Sequence, residues 1–501
     1  MSRTSRLAVF SQVLGGFFAA MALFGFLWTN INGSGGLIPA FAIVCAAMLV
    51  FARQKGDAVL AAVFSVHRVL PAASPGVWLF GTVLLGIILR IFVATVFPPI
   101  PLANWNYDML RYWDLAHNLA NGMDYTTQEG RAYWPPGLPL ALALLLPVFG
   151  SSAYIAYNMI IFIIAEIATF ALGRMLAGWR VGCLAAFFLA VWPNFVFAAP
   201  LLNKECLLIA LGPVAAYFYL RAHAVLSDRK GGIYALLAGA SLGYSALTQP
   251  ATLLLPVCLP LFSILTNGWR RRAFICVVAA ACGVVAVLTP WLVRNYSVLH
   301  HLVLISSNGG GVFFEVTRPQ ADGRFDFLAT REWFALSADE GVRNQLGYSL
   351  GMKSIRDNPL HFFSTVVKKP FYVYGHDIMN LYWNLDHVDG KADRLEEHAL
   401  AYRIANGFYL GIILLISIEV MGRQYVRDAT PALILPWMFM LSPILVNGLL
   451  EAEERHHSVA LPFMAIFAAM ALVRAGQRKN AGSGQVAGSS EIMTAGLRAS
   501  C

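Results

Sequence analysis

The sequence predicts an all-α, polytopic helical membrane protein of about twelve spans. Three observations carry that prediction. The chain of 501 residues is 58% hydrophobic and only 13% charged, against about 25% charged residues in a soluble globular chain. Its mean hydropathy is +0.63. Apolar runs of about 20 residues, the length that crosses ~30 Å of hydrocarbon, recur along the chain. The net charge of +9 does not signal a nucleic-acid partner, because the basic residues sit in short clusters between apolar runs, where the positive-inside rule puts them. The seven cysteines form no CxxC or Cys/His spacing, which argues against a disulfide framework or a zinc site.

The expected spans, in order, are Leu7–Thr29, Leu37–Ala52, Gly76–Pro98, Ala153–Leu172, Val181–Pro200, Cys206–Leu220, Ile233–Thr248, Ala251–Leu265, Ala273–Leu292, Ile404–Val420, Ala432–Leu450 and Ser458–Val473. The N-terminus MSRTSRLAVF resembles a signal sequence. Its apolar run continues to Trp28 without a small-x-small cleavage site, so it reads as an uncleaved first span. The chain then divides into two extra spans with a linker (1–75), a transmembrane module with a first loop at 99–152 (76–293), an extramembrane segment (294–403), C-terminal spans (404–474) and a small, polar tail expected to be disordered (475–501).

Charge parity tests the list. The clusters around Arg53/Lys55, Arg174/Arg180, Arg221/Arg229, Arg270–Arg272, Arg423/Arg427 and Arg474/Arg478 all face the cytoplasm if the apolar segment Leu138–Phe149 does not cross. That segment is short for a span and reads as a re-entrant or interfacial helix; a tilted span is the alternative. The outward segments are then Pro99–Ser152, Leu201–Glu205, the stretch from Arg294 to about Arg403, and Glu451–His457.

The first loop is polar, aromatic and acidic among apolar neighbours: NWNYDMLRYWDLAHNLANGMDYTTQEGRAYWPPGLP. Asp108, Arg111, Tyr112 and Leu115 stand at i, i+3, i+4 and i+7, one face if the stretch is helical, with Asp114 about 120° away. A carboxylate just outside a span is able to take a proton from a hydroxyl; by spacing alone it reads equally as an exposed interfacial acid. Glu205 sits in a first helical turn that Asn203 is placed to cap. Its other reading is a carboxylate favoured by the helix dipole and neutralised by Lys204. Two charges, Arg90 and Glu166, lie deep in spans, where unpaired charge is costly; they are expected to pair, or Arg90 to hold a lipid phosphate. Glu451, Glu453, Glu454, His456 and His457 form either a solvated acidic loop or a divalent-cation site.

Taken together, these residues carry a resemblance. Asp108-x-x-x-Tyr112, Leu115-Ala116-x-Asn118-Leu119-Ala120-x-Gly122-x-x-Tyr125 and Pro136-Gly137-x-Pro139-Leu140 form its first part. Trp192-Pro193 with Glu205, Gly243 to Pro250, Pro290-Trp291-x-x-Arg294-Asn295-Tyr296, and Arg455 before Pro462 complete it. In order, they resemble bacterial GT-C glycosyltransferases related to the protein O-mannosyltransferases and the lipid A aminoarabinose transferase. The resemblance covers most of Arg90–Val473 and leaves out the first two spans. It implies a multi-pass inner-membrane transferase with a periplasmic active site. The donor is a polyprenyl-phosphate sugar and the acceptor a lipid, glycan or protein. It assigns Asp108 as the catalytic residue and Glu205 as the assisting acid. Two positions depart from the family. Trp134 stands where aminoarabinose transferases carry a lysine before the Pro-Pro, and Gln249 where relatives often have an arginine before the proline.

The chemistry fits that reading. A phosphate departs without a general acid, so one base that activates the acceptor suffices for inverting transfer, whereas glycosidases use two carboxylates. Cations stabilise the departing phosphate. The candidates are Arg131, Arg294, Arg455 and Arg90, with Arg111 and Tyr112 as further substrate contacts; each arginine also reads as an ordinary snorkelling or surface residue. The sequence identifies no cofactor with certainty, and a divalent cation is compatible with it. The alternative function is a transporter or a flippase for lipid-linked sugars, which expects midplane polar sites and often repeated halves. No repeat is visible, and the acids lie at span ends. A non-catalytic scaffold, the third class, needs no acid-aromatic constellation.

Overall fold

The computed structural model describes residues 13–20, 22, 74–97, 107–268, 270–385, 398–422 and 431–482. Among these residues the protein is helical, with no strand and a single isolated bridge between Thr127 and Gly130. Among the described residues eight segments are long and apolar enough to cross a membrane, so this is a multi-pass membrane protein. The expected spans Leu7–Thr29 and Leu37–Ala52 lie outside the described residues, apart from the helical turns at 13–20 and 22.

Helix α1 (Pro75–Val96) starts at Ser74, whose hydroxyl accepts from the Val77 N–H at 3.4 Å, with Pro75 in the first turn. Its 22 residues reach about 33 Å. Helix α2 (Tyr107–Ala120) carries the first-loop motif. Helix α3 (Gly137–Phe149) is 13 residues long, roughly 20 Å and short of the hydrocarbon thickness. A 3₁₀ turn at Gly150–Ser152 joins it to α4 (Ala153–Ala177), and Gly150 has φ 52°.

The expected span Val181–Pro200 does not form as one helix. Helix α5 (Trp179–Ala190) stops after 12 residues, and Trp192 is extended before Pro193. Proline has no N–H and disfavours helical backbone in the residue before it, so the chain turns here. The strand of helices continues with α6 (Glu205–Ala224) and α7 (Asp228–Thr248), a 3₁₀ stretch Pro250–Val257 leading into α8 (Cys258–Asn267), and α9 (Arg271–Leu299). Helix α9 runs past the expected Leu292 end, so Arg294 lies on a helix rather than in a loop. Helix α7 falls below the apolarity of the eight candidates because it is rich in small and hydroxyl residues. Those small residues have a use. A Cβ on Gly239 would stand 1.9 Å from the Ala280 carbonyl oxygen, and one on Gly283 would stand 2.2 Å from that of Leu236. The α7 and α9 backbones therefore touch, as at small-residue crossings between membrane helices.

Residues 309–385 form a helical cap: α10 (Gly309–Thr317), α11 (Phe327–Phe334), α12 (Glu340–Asp357), α13 (Pro359–Tyr374) and α14 (Met379–Leu385). Arg318 ties it internally, bonding Asp326 at 2.9 Å and Glu332 at 2.6 Å. Glu340 ties it to the first loop. Its carboxylate accepts from Arg131 N–H (2.8 Å), Ala132 N–H (3.2 Å) and the Ser307 hydroxyl (2.8 Å).

The last helices are α15 (Ala399–Gly422), α16 (Ile434–Leu449) and α17 (Leu461–Gly482), the last entered through a 3₁₀ stretch Glu454–Ala460. The final helix runs on to Gly482, so residues 475–482, expected in a disordered tail, are helical; 483–501 lie outside the described residues. Along 461–473 almost every side chain of α17 is buried, the mark of a helix packed on all faces. Helix α1, in contrast, exposes Phe80, Leu84, Ile88 and Ile91. The core therefore sits around α17, with α5 and α15 packed most extensively against it and α4, α6 and α16 closing the remaining faces.

Candidate active site

The four segments expected to face outward meet at one end of the bundle. They form a solvent-open pocket lined by Asp108 and Tyr112 from the first loop, Asn203, Lys204 and Glu205 from the second, Asn380 and Trp383 from the cap, and Arg455 from the last turn before α17.

Asp108 lies in the first turn of α2, and Tyr112 follows one turn later on the same face. Tyr112 is buried against Trp134, edge to face at 5.3 Å. Burial, with Asp108 and Glu205 nearby, holds its phenol well above the ordinary value, so Tyr112 stays a hydrogen-bond donor. Glu205 opens α6. Asn203 does not cap this helix: Lys204 occupies the cap position without a side-chain bond, and the Asn203 amide donates to the Asn380 side chain instead.

Arg455 stands among four carboxylates. Its guanidinium nitrogens lie 3.7 Å from Asp108, 3.9 Å from Glu205, 3.6 Å from Glu451 and 2.9 Å from Glu453. One cation thus gathers acids from three segments of the chain. Glu451 is held partly neutral: burial first, and Glu453 second, push its carboxyl up to about 8 against the pull of Arg455. Lys204 makes no ion pair among the described residues; its Nζ lies 3.4 Å from the Tyr112 hydroxyl and 5.8 Å from that ring's centre.

A second cavity opens beside the first. It is lined mainly by apolar side chains, among them Leu208, Leu255, Pro443, Val446 and Val459, with Gln249, Thr252, Ser442 and Asn447 as its uncharged polar groups. Glu205 and Arg455 line both cavities. The polar chamber and the apolar groove therefore share a wall made of an acid and a base.

Behind this wall lies a buried network that sequence spacing did not reveal. Asp377 accepts from the Trp192 indole and the Asn194 amide and lies 3.4 Å from His457 Nε2. His457 Nδ1 donates to the Val373 carbonyl at 2.7 Å, and its ring packs on Tyr409 and Tyr374. Asn194 also receives the Asn380 N–H at 2.8 Å. The signal nearest to it was Trp192-Pro193. Asp377 and Asn380 sit in a segment far along the chain that no local pattern ties to residue 194.

The other expected substrate contacts lie elsewhere. Arg111 turns to Glu129 (3.1 Å) and Asp114 (3.9 Å) and lines neither cavity. Arg294 donates to the carbonyls of Arg131 (2.7 Å) and Tyr125 (2.9 Å), stacked near Trp291, so it fastens the first loop. The Arg131 side chain is exposed, while its backbone is held by Glu340 and Arg294. Arg90 is buried in α1 against Phe162 at 3.6 Å and donates to the Gly86 and Ala190 carbonyls. Among the described residues no ion pair joins Arg90 to Glu166, whose two carboxyl oxygens are buried without hydrogen-bond partners.

A divalent cation does not fit this set of acids. Among the described residues no group of three or more His, Cys, Asp or Glu side chains is arranged to hold a metal. The 451–457 cluster is not a solvated loop either. Glu454 and His457 are buried, Glu454 bonds His376 and the Ile378 N–H, and His456 Nδ1 accepts from the Glu453 N–H at 3.2 Å. Each side chain faces a different partner, and Arg455 fills the centre.

No family model matches the chain, and no curated protein does. Solved structures do. The oligosaccharyltransferase of Archaeoglobus fulgidus in its apo form matches with a TM-score of 0.50 at 14% identity, over 85% of this chain and 54% of that one. The oligosaccharyltransferase AglB from Archaeoglobus fulgidus, in complex with an inhibitory peptide and a dolichol-phosphate, matches with a TM-score of 0.45 at 12% identity, over 84% and 53%. ArnT from Cupriavidus metallidurans, bound to undecaprenyl phosphate, matches with a TM-score of 0.37 at 15% identity, over 82% and 79%. The chain spans about half the length of the oligosaccharyltransferases it matches. These neighbours are GT-C membrane glycosyltransferases, the class the sequence motifs resemble, and the likeness to the apo oligosaccharyltransferase is one of fold.

Proposed function

We propose that this protein is an integral membrane glycosyltransferase of the GT-C type. It moves a sugar from a polyprenyl-phosphate donor to a hydroxyl or amine of a lipid, glycan or protein on the periplasmic side. The observation that carries this reading is the shared wall: an acid-lined polar chamber and an apolar groove meet at Glu205 and Arg455. A lipid-linked sugar has the same two halves. Its isoprenoid tail suits the groove and its sugar the chamber, with the phosphate at the junction. A flippase or transporter calls for a polar site at the midplane of the bundle, whereas Asp108 and Glu205 converge at one end.

In this reading Asp108 is the general base. The acceptor oxygen attacks the anomeric carbon while its proton passes to the Asp108 carboxylate. The bond from the anomeric carbon to the phosphate oxygen breaks, and polyprenyl phosphate leaves with the electron pair. One displacement inverts the anomeric centre. Asp108 lies at the cavity wall with its carboxylate 38% exposed, open to an acceptor. Arg455 holds Asp108 and Glu205 in place from 3.7 Å and 3.9 Å. The phenol of Tyr112 is a donor toward the sugar or the departing oxygen.

The test is to incubate membranes containing the protein with several polyprenyl-phosphate sugars and to follow surface glycolipids and proteins by mass spectrometry. Asp108→Asn keeps the size and polarity of the side chain but takes no proton. It is expected to lower turnover by about 10²–10⁴-fold while donor binding survives. Asp114→Asn, half-exposed and beside Arg111, is expected to be mild. Normal turnover by well-folded Asp108→Asn protein sinks Asp108 as the base and leaves Glu205 as the next acid on the same wall.

A further inference from the structure

We infer that Lys204 is the residue that recognises the phosphate of the lipid-linked substrate; this rests on the donor reading above. Lys204 and Arg455 are the only basic side chains lining either cavity among the described residues, histidine apart. Arg455 is already enclosed by Asp108, Glu205, Glu451 and Glu453. A guanidinium shared by several carboxylates has little charge left for a phosphate, which those same carboxylates repel. Lys204 has no such enclosure. It does not pair with the adjacent Glu205, and its hydrogen-bond contact is the 3.4 Å approach to the Tyr112 hydroxyl, long for a charged donor.

Its place in the chain adds to this. Lys204 lines the polar chamber, and the next residue, Glu205, lines both cavities. A phosphate at the junction therefore lies beside the backbone that carries Lys204. An ammonium on a flexible stem suits this task, because it follows the phosphate as the group changes from diester to departing monoester. The monoester carries more negative charge, so the same contact is stronger after bond breaking than before it. The rest of the junction is acidic or uncharged: Gln249, Thr252, Ser442 and Asn447 on the groove side, and Asn194, Asn203 and Asn380 on the chamber side. Other cations of this end are engaged or turned outward: Arg294 holds the first-loop backbone, Arg111 pairs with Glu129, Arg318 pairs with Asp326 and Glu332, and the Arg131 side chain is exposed.

The experiment measures the affinity of purified full-length protein for undecaprenyl phosphate and for undecaprenol, the neutral alcohol of the same chain length. Wild-type protein is expected to prefer the phosphate. Lys204→Met is expected to lose roughly 10- to 100-fold in affinity for the phosphate, the worth of one charge-assisted bond, with its affinity for the alcohol unchanged. Lys204→Arg, which restores the charge, is expected to recover most of the preference. An unchanged affinity for the alcohol shows that Lys204→Met is folded with its groove intact. A Lys204→Met protein that keeps the full preference for phosphate overturns the inference, as does an equal loss for both lipids, which marks Lys204 as structural. Wild-type protein that makes no distinction between the two lipids instead sinks the donor reading itself, and this inference with it.

Discussion

At the residue scale, Arg455 decides the electrostatics of the site, and neighbours one shell away adjust it. Glu315 is one of them, buried in α10 and accepting from the Asp326 N–H and the Thr330 hydroxyl. Burial pushes its carboxyl up to about 7, against those bonds and with Glu453 adding to the rise. Between its ordinary value of 4.5 and 7, the folded protein holds a proton that the unfolded chain has released. Stability is therefore highest at the acidic end of that window, falls as pH rises through it, and levels off above 7. The fall is on the order of 3 kcal/mol. Glu315→Gln removes the titration and is expected to flatten this slope in detergent-solubilised protein, read as the change in Tm between pH 5 and pH 8. An unchanged slope would assign it to another group, such as Glu451. Asp108 and Glu205 were legible in the sequence because ordered motifs surround them. The roles of Arg111, Arg131 and Arg294 were not, because residue type gives a charge but not its partner. A guanidinium has five donors, and only the fold shows that those of Arg294 meet two carbonyls.

At the element scale, the apolar runs located most helices, and two kinds of local chemistry altered them. Pro193 cut an apolar run that hydropathy alone would have let cross. Glycines did the opposite in α7, lowering its hydropathy while letting α9 approach until backbones touch. Gly239→Ala places a methyl group against the Ala280 carbonyl and is expected to cost at least ~2 kcal/mol by forcing the helices apart. Gly232→Ala lies on the same helix and meets only Ile275, at 3.8 Å. It is expected to be neutral or to stabilise by up to ~1 kcal/mol through helix propensity. Thermal unfolding of the two variants side by side checks the assignment; equal Tm values would mean that α7 and α9 do not pack this closely.

At the scale of the whole molecule, periodicity and charge gave a helical membrane protein with loops gathered at one end, but not which loop residues meet. The gathering depends on contacts between residues hundreds of positions apart, which no local pattern encodes. The opposite end carries its own ties. Asn267 bonds His223 at 3.0 Å, and Arg271 approaches Asp228 at 3.9 Å. Fusion reporters at Asp228 and Asn267 are accordingly expected to read cytoplasm, and reporters at Gly310 and Glu453 to read periplasm. A periplasmic reading at Asn267 would mean that α3 crosses the bilayer.

The position of Arg455 also bears on when the chamber is completed as the chain is made. Asp108 enters the membrane surface early, while the residue that faces it emerges only with the final span. Until Arg455 is in place, Asp108 and Glu205 lack the guanidinium that faces them, and the chamber lacks one side. A translation product truncated before residue 455 would carry both proposed catalytic acids without the guanidinium that faces them.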